Sequence, residues 1–323
     1  MEFDASDADF VLFDYVNSEG NRHPVWSVCA DQLWLFSGDE GGYIIAETAG
    51  REVQTLRGHT GAVLALYVSG DRLFSGGIDQ TIRVWRIVDE IWQLDKILEG
   101  HTGAVLTLCV SGDQLFSGDK DGTIKVWNLA GECVQTLQGH ADWVSSVCVS
   151  GDRLFSGSRT IKVWRFVDEI WQLDKTLGGH TVGVGGHTVK VLTLCVSGRR
   201  LFSGDTDGMI KVWNWKTGGV QTLGKHDDEV LSMCVFGDQL FSTGEDNKLR
   251  VWDLQVGYCA EIWDGVDFQV YCLFVFPDGD NPNSGSLFAA CDDGIVRGYG
   301  CGGSALWLSE RPNKKTPYVS LRF

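Results

Sequence analysis

No stretch of this 323-residue chain stays apolar long enough to cross a bilayer, since its longest apolar runs are only of strand length. No secretory leader is recognisable either. The start, MEFDASDADF, is acidic where a leader needs positive charge followed by an apolar run. Cations are scarce: 27 Lys and Arg stand against 43 Asp and Glu, a formal net charge of −16. Phosphate neutralisation is the main source of nucleic-acid affinity, so no nucleic-acid partner is expected. Anionic membrane surfaces are disfavoured for the same reason. The expected partners are other proteins or peptides, basic ones first.

The ten cysteines include no CxxC pair and no dense framework. Cys29, Cys109, Cys148, Cys195 and Cys234 recur at one repeat position. A residue occurring once per structural unit is held away from its copies, beyond disulfide or metal-ligand reach. Small buried thiols in a reducing compartment are expected, with no metal and no cofactor. The default location is the cytoplasm, with the nucleus as a second.

What the chain does contain is a repeat. GHTGAVLALYVSGDRLFSGGIDQTIRVW begins at Gly58, and close copies begin at Gly100, Gly139, Gly186 and Lys225. Successive histidines are 42, 39, 47 and 39 residues apart. Each unit reads as four short strands, in the second copy AVLTLCV, QLFSG, TIKVWN and CVQTLQ. They are rich in β-branched and aromatic residues and are bounded by Gly-containing turns. The connections are too short for crossover helices, so the strands form antiparallel meanders. One such sheet is apolar on both faces and cannot stand alone. Radial repetition buries each sheet against its neighbours, which predicts a ring.

Two weaker units flank the five clear ones. The first, from Val25, has Asn21, Gly41 and Glu47 where the others have His, Asp and Trp. The last, from Val270, has Val266, Ala289 and Tyr299 at the His, Ser and Trp places but keeps Asp293. The expected fold is therefore all-β, seven blades of four antiparallel strands. Residues 1–17 form an N-terminal segment, 18–303 the blades and 304–323 a C-terminal segment. Either FVLFDYV (10–16) or SALWLSE (304–310) could supply the strand that closes the ring, with a lean to the first.

The GH dipeptide, the LFSG strand, the turn Asp and the closing IKVW together resemble the WD-repeat β-propeller family, over about nine-tenths of the chain. The Trp-Asp pair itself survives only at Trp252-Asp253. The repeats are similar in tone to the propellers of myosin-heavy-chain kinases and of some plant CCCH zinc-finger proteins, but no kinase or zinc-finger motif is present. The resemblance implies a buried hydrogen-bonded tetrad in each complete blade. The matching sets are His59, Ser75, Asp79 and Trp85; His101, Ser117, Asp121 and Trp127; His187, Ser203, Asp207 and Trp213; and His226, Ser242, Asp246 and Trp252. A His-Ser-Asp trio invites a hydrolase reading. Parallel copies, without a Gly-x-Ser-x-Gly elbow or an oxyanion site, are better read as satisfied polar groups inside blades. No catalytic residue is assigned and no enzyme activity is expected.

Three features depart from the pattern. SGSRTIKVW lacks the residues that would include the turn Asp, so His140, Ser156 and Trp164 are expected to have no carboxylate, and this fourth blade to be the least stable. GHTVGVGGHTV duplicates a GH start. The spacing assigns His187 to the tetrad and leaves His180 in an extra loop. VDEIWQLDK occurs twice, and its Trp92 and Trp171 either pack against the sheet edge or stand exposed as partner contacts.

By the family pattern, partners meet the face that carries the loop into each innermost strand and the turn after the second strand. The residues falling there are Trp26, Leu64, Ile78, Leu106, Lys120, Trp143, Lys190, Leu192, Glu229, Leu231, Glu245 and Tyr271. Several are large and apolar, a hot-spot composition, although the Leu residues could instead turn inward and fill the channel mouth. The expected role is a non-catalytic scaffold or adaptor. The alternative is a substrate-recognition subunit of a ubiquitin ligase. Such receptors commonly carry Trp-Asp-x-Arg, whereas Trp252-Asp253 continues Leu254-Gln255, and no F-box-like helical segment is visible before the repeats.

Overall fold

The computed structural model describes residues 11–14, 23–48, 54–178, 189–263, 268–277 and 284–302. It holds 28 strands in seven four-stranded antiparallel sheets, and no helix among the described residues. β1 is Val11–Asp14. Blade 1 comprises β2 (Val25–Ala30), β3 (Leu35–Asp39), β4 (Tyr43–Glu47) and β5 (Gln54–Arg57). Blade 2 comprises β6 (Val63–Ser69), β7 (Arg72–Gly77), β8 (Ile82–Val88) and β9 (Ile91–Leu98). Blade 3 has β10 (Val105–Ser111), β11 (Gln114–Asp119), β12 (Ile124–Asn128) and β13 (Cys133–Leu137). Blade 4 has β14 (Ser146–Ser150), β15 (Arg153–Gly157), β16 (Ile161–Val167) and β17 (Ile170–Leu177). Blade 5 has β18 (Val191–Ser197), β19 (Arg200–Asp205), β20 (Met209–Asn214) and β21 (Gly219–Lys225). Blade 6 has β22 (Val230–Phe236), β23 (Gln239–Gly244), β24 (Leu249–Asp253) and β25 (Tyr258–Trp263). Blade 7 has β26 (Val270–Pro277), β27 (Ser284–Cys291) and β28 (Ile295–Gly302), with β1 as its outermost strand.

The seven first strands touch one another in order, and β26 touches β2, so the ring is closed. β1 pairs antiparallel with β28, from Val11↔Gly298 to Asp14↔Ile295. The segment 304–310, the other candidate for this place, lies outside the described residues, as do His180 and His187.

The core is divided among the contacts between blades. Phe36, Ile44 and Leu56 of blade 1 meet Val63, Leu66 and Trp85 of blade 2, and equivalent clusters lie at the other six boundaries. The LFSG motif serves this packing. A Cβ on Gly118 would lie 2.5 Å from Val144 Cγ1 of the next blade, so only glycine lets the sheets approach this closely.

Trp92 and Trp171 are buried, at 2% and 5% exposure, which settles them as packing residues. Each reaches back to the preceding blade and meets a phenylalanine edge-on, Trp92 on Phe36 at 5.1 Å and Trp171 on Phe116 at 5.2 Å. Gln54 then clamps the Trp92 main chain, donating to its carbonyl at 2.6 Å and accepting its N–H at 2.8 Å. Gln135 does the same for Trp171, at 2.7 and 2.9 Å.

Candidate protein-binding face

Each complete blade is pinned by a relay of donors. In blade 2 the Trp85 indole N–H donates to Ser75 Oγ at 2.9 Å, Ser75 Oγ lies 2.8 Å from His59 Nε2, and His59 Nδ1 lies 3.0 Å from Asp79. A carboxylate only accepts, so Nδ1 carries the proton, Nε2 accepts, and the serine hydroxyl donates to it. The same relay joins Trp252, Ser242, His226 and Asp246 in blade 6. Burial pushes the His59 and His226 pKa values down despite the facing carboxylates. The serines are fully buried and already accept an indole proton, so these trios tie the strands of the blade together.

In blade 3 the carboxylate is not the one expected. Trp127, Ser117 and His101 are joined as above, but His101 Nδ1 meets Asp119 Oδ2 at 2.6 Å. Asp121 is exposed and accepts from Thr102 at 2.8 Å. Blade 5 follows blade 3. Trp213 donates to Ser203 at 2.7 Å, Asp205 is buried and accepts the turn N–H groups of Asp207 and Met209, and Asp207 is exposed.

Space is the reason for the two arrangements. A Cβ at Gly77 would stand 2.6 Å from His59 Nδ1, so glycine there lets Asp79 swing in from further along the turn. An Asp at the same place, Asp119, reaches in directly and leaves the later one outside, and Asp205 stands at that place in blade 5. The later Asp comes with an arginine four residues on: Asp79 with Arg83, Asp246 with Arg250, Asp293 with Arg297. Blade 1 also proves less degenerate than its Gly41 implies, because Asp39 is buried in the Asp119 place and accepts the Tyr43 N–H at 2.8 Å. In blade 4, His140 bonds Ser156 at 2.7 Å and Trp164 donates to Ser156 at 2.9 Å, with no described carboxylate at the other imidazole nitrogen. Burial, then Lys162, pushes the His140 pKa down to about 4.

The tetrads fix the loops that build one face. In six blades the first strand bulges one residue after its opening valine, Val270 in blade 7. The bulged residues are Trp26, Leu64, Leu106, Leu192, Leu231 and Tyr271. A bulge re-aims a side chain out of the sheet's alternation. All six are half-buried. Blade 4 has no such bulge in its described residues, and Ser145 stands there. A second device joins the two parts of the face. The turn N–H of Glu40, Ile78, Lys120, Thr206, Glu245 or Asp292 donates to the carbonyl of Pro24, Ala62, Ala104, Lys190, Glu229 or Gln269 respectively.

The candidate residues fall into groups. Trp26 stacks on Tyr271 at 4.2 Å across the boundary of blades 1 and 7. Burial, then Asp292, Glu245 and Glu40, raises the Tyr271 pKa, and burial, then Glu245 and Asp228, raises that of Glu229. This side of the face is therefore acidic. Ile78 stands 55% exposed. On the far side Lys120 and Lys190 place their ammonium groups 4.4 and 4.6 Å from the Trp143 ring centroid. Asp142 and Arg159, which the repeat pattern did not single out, join this group through ion pairs of 2.8 Å (Arg159) and 3.1 Å (Lys190) to Asp142. No group of three or more His, Cys, Asp or Glu among the described residues is placed to hold a metal ion.

Comparison with known proteins agrees with this architecture. The family model "WD domain, G-beta repeat" matches residues 50–86, 92–128, 131–165, 171–214 and 219–253. The crystal structure of the WD40 beta propeller domain of Doa1 is similar in fold, with a TM-score of 0.75, 22% identity and coverage of 92% of this chain and 96% of that one. The computationally designed Ika8 protein is similar with a TM-score of 0.65, 24% identity and coverage of 87% and 97%. A search of curated proteins finds no match. With seven blades in a closed ring, buried relays in blades 2, 3 and 6 and five matched repeats, the chain belongs to the WD-repeat (WD40) family.

Proposed function

We propose that this propeller is a non-catalytic scaffold or adaptor that presents the bulged face to a peptide or protein. One observation carries the reading: the first strands re-aim a large side chain, Trp, Tyr or Leu, at the same place on six blades. Large side chains on a rigid rim suit hot-spot contacts. The net charge of −16 and the acidic surroundings of Tyr271 favour basic residues on that side of the partner. The same proposal places the chain in the cytoplasm or nucleus, where its free thiols stay reduced.

The test is affinity capture from cells with the wild-type chain and with a Leu64→Asp, Leu106→Asp, Trp143→Asp variant whose melting curve shows a folded ring. The reading expects a defined set of captured proteins that the variant loses. An unchanged set would remove it. A recurrent cullin-ligase subunit in the set would redirect the assignment to a ligase substrate receptor.

A further inference from the structure

The shortened turn of blade 4 changes the face locally. Elsewhere a turn N–H covers the carbonyl of the residue just before the opening valine, and where that residue is Ala62 or Ala104 it is small and buried. In blade 4 the turn runs Gly157-Ser158-Arg159-Thr160, and Ser158 Oγ donates instead to the Asp142 carbonyl at 3.0 Å. The residue in the Ala62 place is Trp143, and it stands 42% exposed. Lys120 comes to its ring from the blade 3 turn and Lys190 from the loop into blade 5. Arg159, on the tip of the shortened turn, completes the group.

We propose that this turn creates a subsite for an acidic side chain, Asp or Glu, of an extended partner segment, seated over Trp143 between Lys120, Lys190 and Arg159. It rests on the reading that the face binds peptides and specifies where one charge of the partner goes. Two of the three cations share one carboxylate, Asp142, and Lys120 has no carboxylate in ion-pair contact among the described residues. The group is locally cationic in a chain of charge −16. The far side, with Glu40, Glu245 and Asp292 around Tyr271, repels the same side chain. A partner segment is thus held in one direction, its acidic residue over blade 4 and its basic residues towards Tyr271.

The experiment labels the full chain with 5-fluorotryptophan and titrates it with acetyl-tetraglutamate amide. The Trp143 resonance is identified by its absence in Trp143→Phe. A saturable shift of that resonance is expected, with the apparent Kd raised at least tenfold in Lys120→Gln/Lys190→Gln and raised also in Arg159→Gln. Acetyl-tetralysine amide and inorganic phosphate should move it less at equal concentration. No shift with tetraglutamate, an equal shift with tetralysine or phosphate, or an unchanged Kd in a double variant that melts like wild type would overturn the subsite. Partner capture that a Leu64→Asp, Leu106→Asp variant with Trp143 intact loses would survive that failure, so the two readings fall separately.

Discussion

His101 Nδ1 lies 2.6 Å from Asp119 Oδ2, while Asp121, two residues further on, faces solvent beside Thr102. Asp119 also accepts the N–H groups of Asp121 and Thr123 with its other oxygen. It thus ties the histidine to the turn, and an amide cannot accept on both sides. Asp119→Asn is expected to cost about 1–3 kcal/mol, and Asp121→Asn less than about 0.5 kcal/mol. Urea midpoints of the two variants check this; equal effects would contradict the assignment.

Ser117 is the hub of the same relay, accepting the Trp127 indole proton at 2.8 Å and meeting His101 at 2.6 Å. Ser117→Ala leaves two buried partners unpaired and is expected to cost about 2–4 kcal/mol. Its circular-dichroism spectrum should remain that of a β-protein. A cost below about 0.5 kcal/mol would show that the relay adds little to the blade.

Acid should weaken blade 4 in particular. The folded-state pKa of His140 is about 4, against 6.5 for the free imidazole. As pH falls from 6.5 to 4 the unfolded chain takes the proton first, so stability is lost in that window, by about 3 kcal/mol. His140→Gln removes this contribution. The stability gap between wild type and variant should narrow by about 2–3 kcal/mol between pH 7 and pH 4.5, as read by chemical denaturation. A constant gap would show that the imidazole is not held neutral.

Glu47 acts in the opposite sense. It occupies the register place of Trp127 in blade 1, opposite Leu35, and burial raises its pKa to about 7. The folded state binds this proton more tightly, so stability rises as pH falls from 7 towards 4.5. Above pH 7 the buried charge costs about 2 kcal/mol after allowance for partial exposure. Glu47→Gln should therefore stabilise the chain at pH 8 and have little effect at pH 5. Thermal melts at the two pH values decide it.

Much of this architecture could be read from residues alone. The Trp-to-Ser-to-His relay is implied by the family resemblance of the repeats, and the blade number comes from counting units. The carboxylate did not follow, because the DKD and DTD turns each offer two Asp residues and spacing favours the wrong one. The usable signal was Gly77 and Gly244 in the turns that place the Asp late, each followed by Arg83 or Arg250. Bulges leave no mark in an unaligned strand, so the family pattern grouped Trp26, Leu64 and Tyr271 on one face but only the pairing register showed that each sits on a bulge. The meeting of Lys120 with Lys190 on Trp143 joins three blades, and no local pattern carries it.

The ring closure is open to direct trial. β1 covers the outer edge of β28 in blade 7, which would otherwise end the sheet unpaired. Deleting residues 1–17 is expected to lower the Tm by roughly 5–10 °C, the equivalent of a few kcal/mol. An unchanged Tm would mean that the ring does not depend on this strand.

Hydrogen–deuterium exchange of the propeller with and without a captured partner tests the binding face most directly. The account predicts slowed exchange in the loops and bulges around residues 62–64, 76–81, 104–106 and 118–123. It predicts no change in the outer hairpins, where Ile91, Leu94, Ile170 and Leu173 offer a rival apolar surface. Protection confined to those hairpins, with the bulged face exchanging as before, would contradict it.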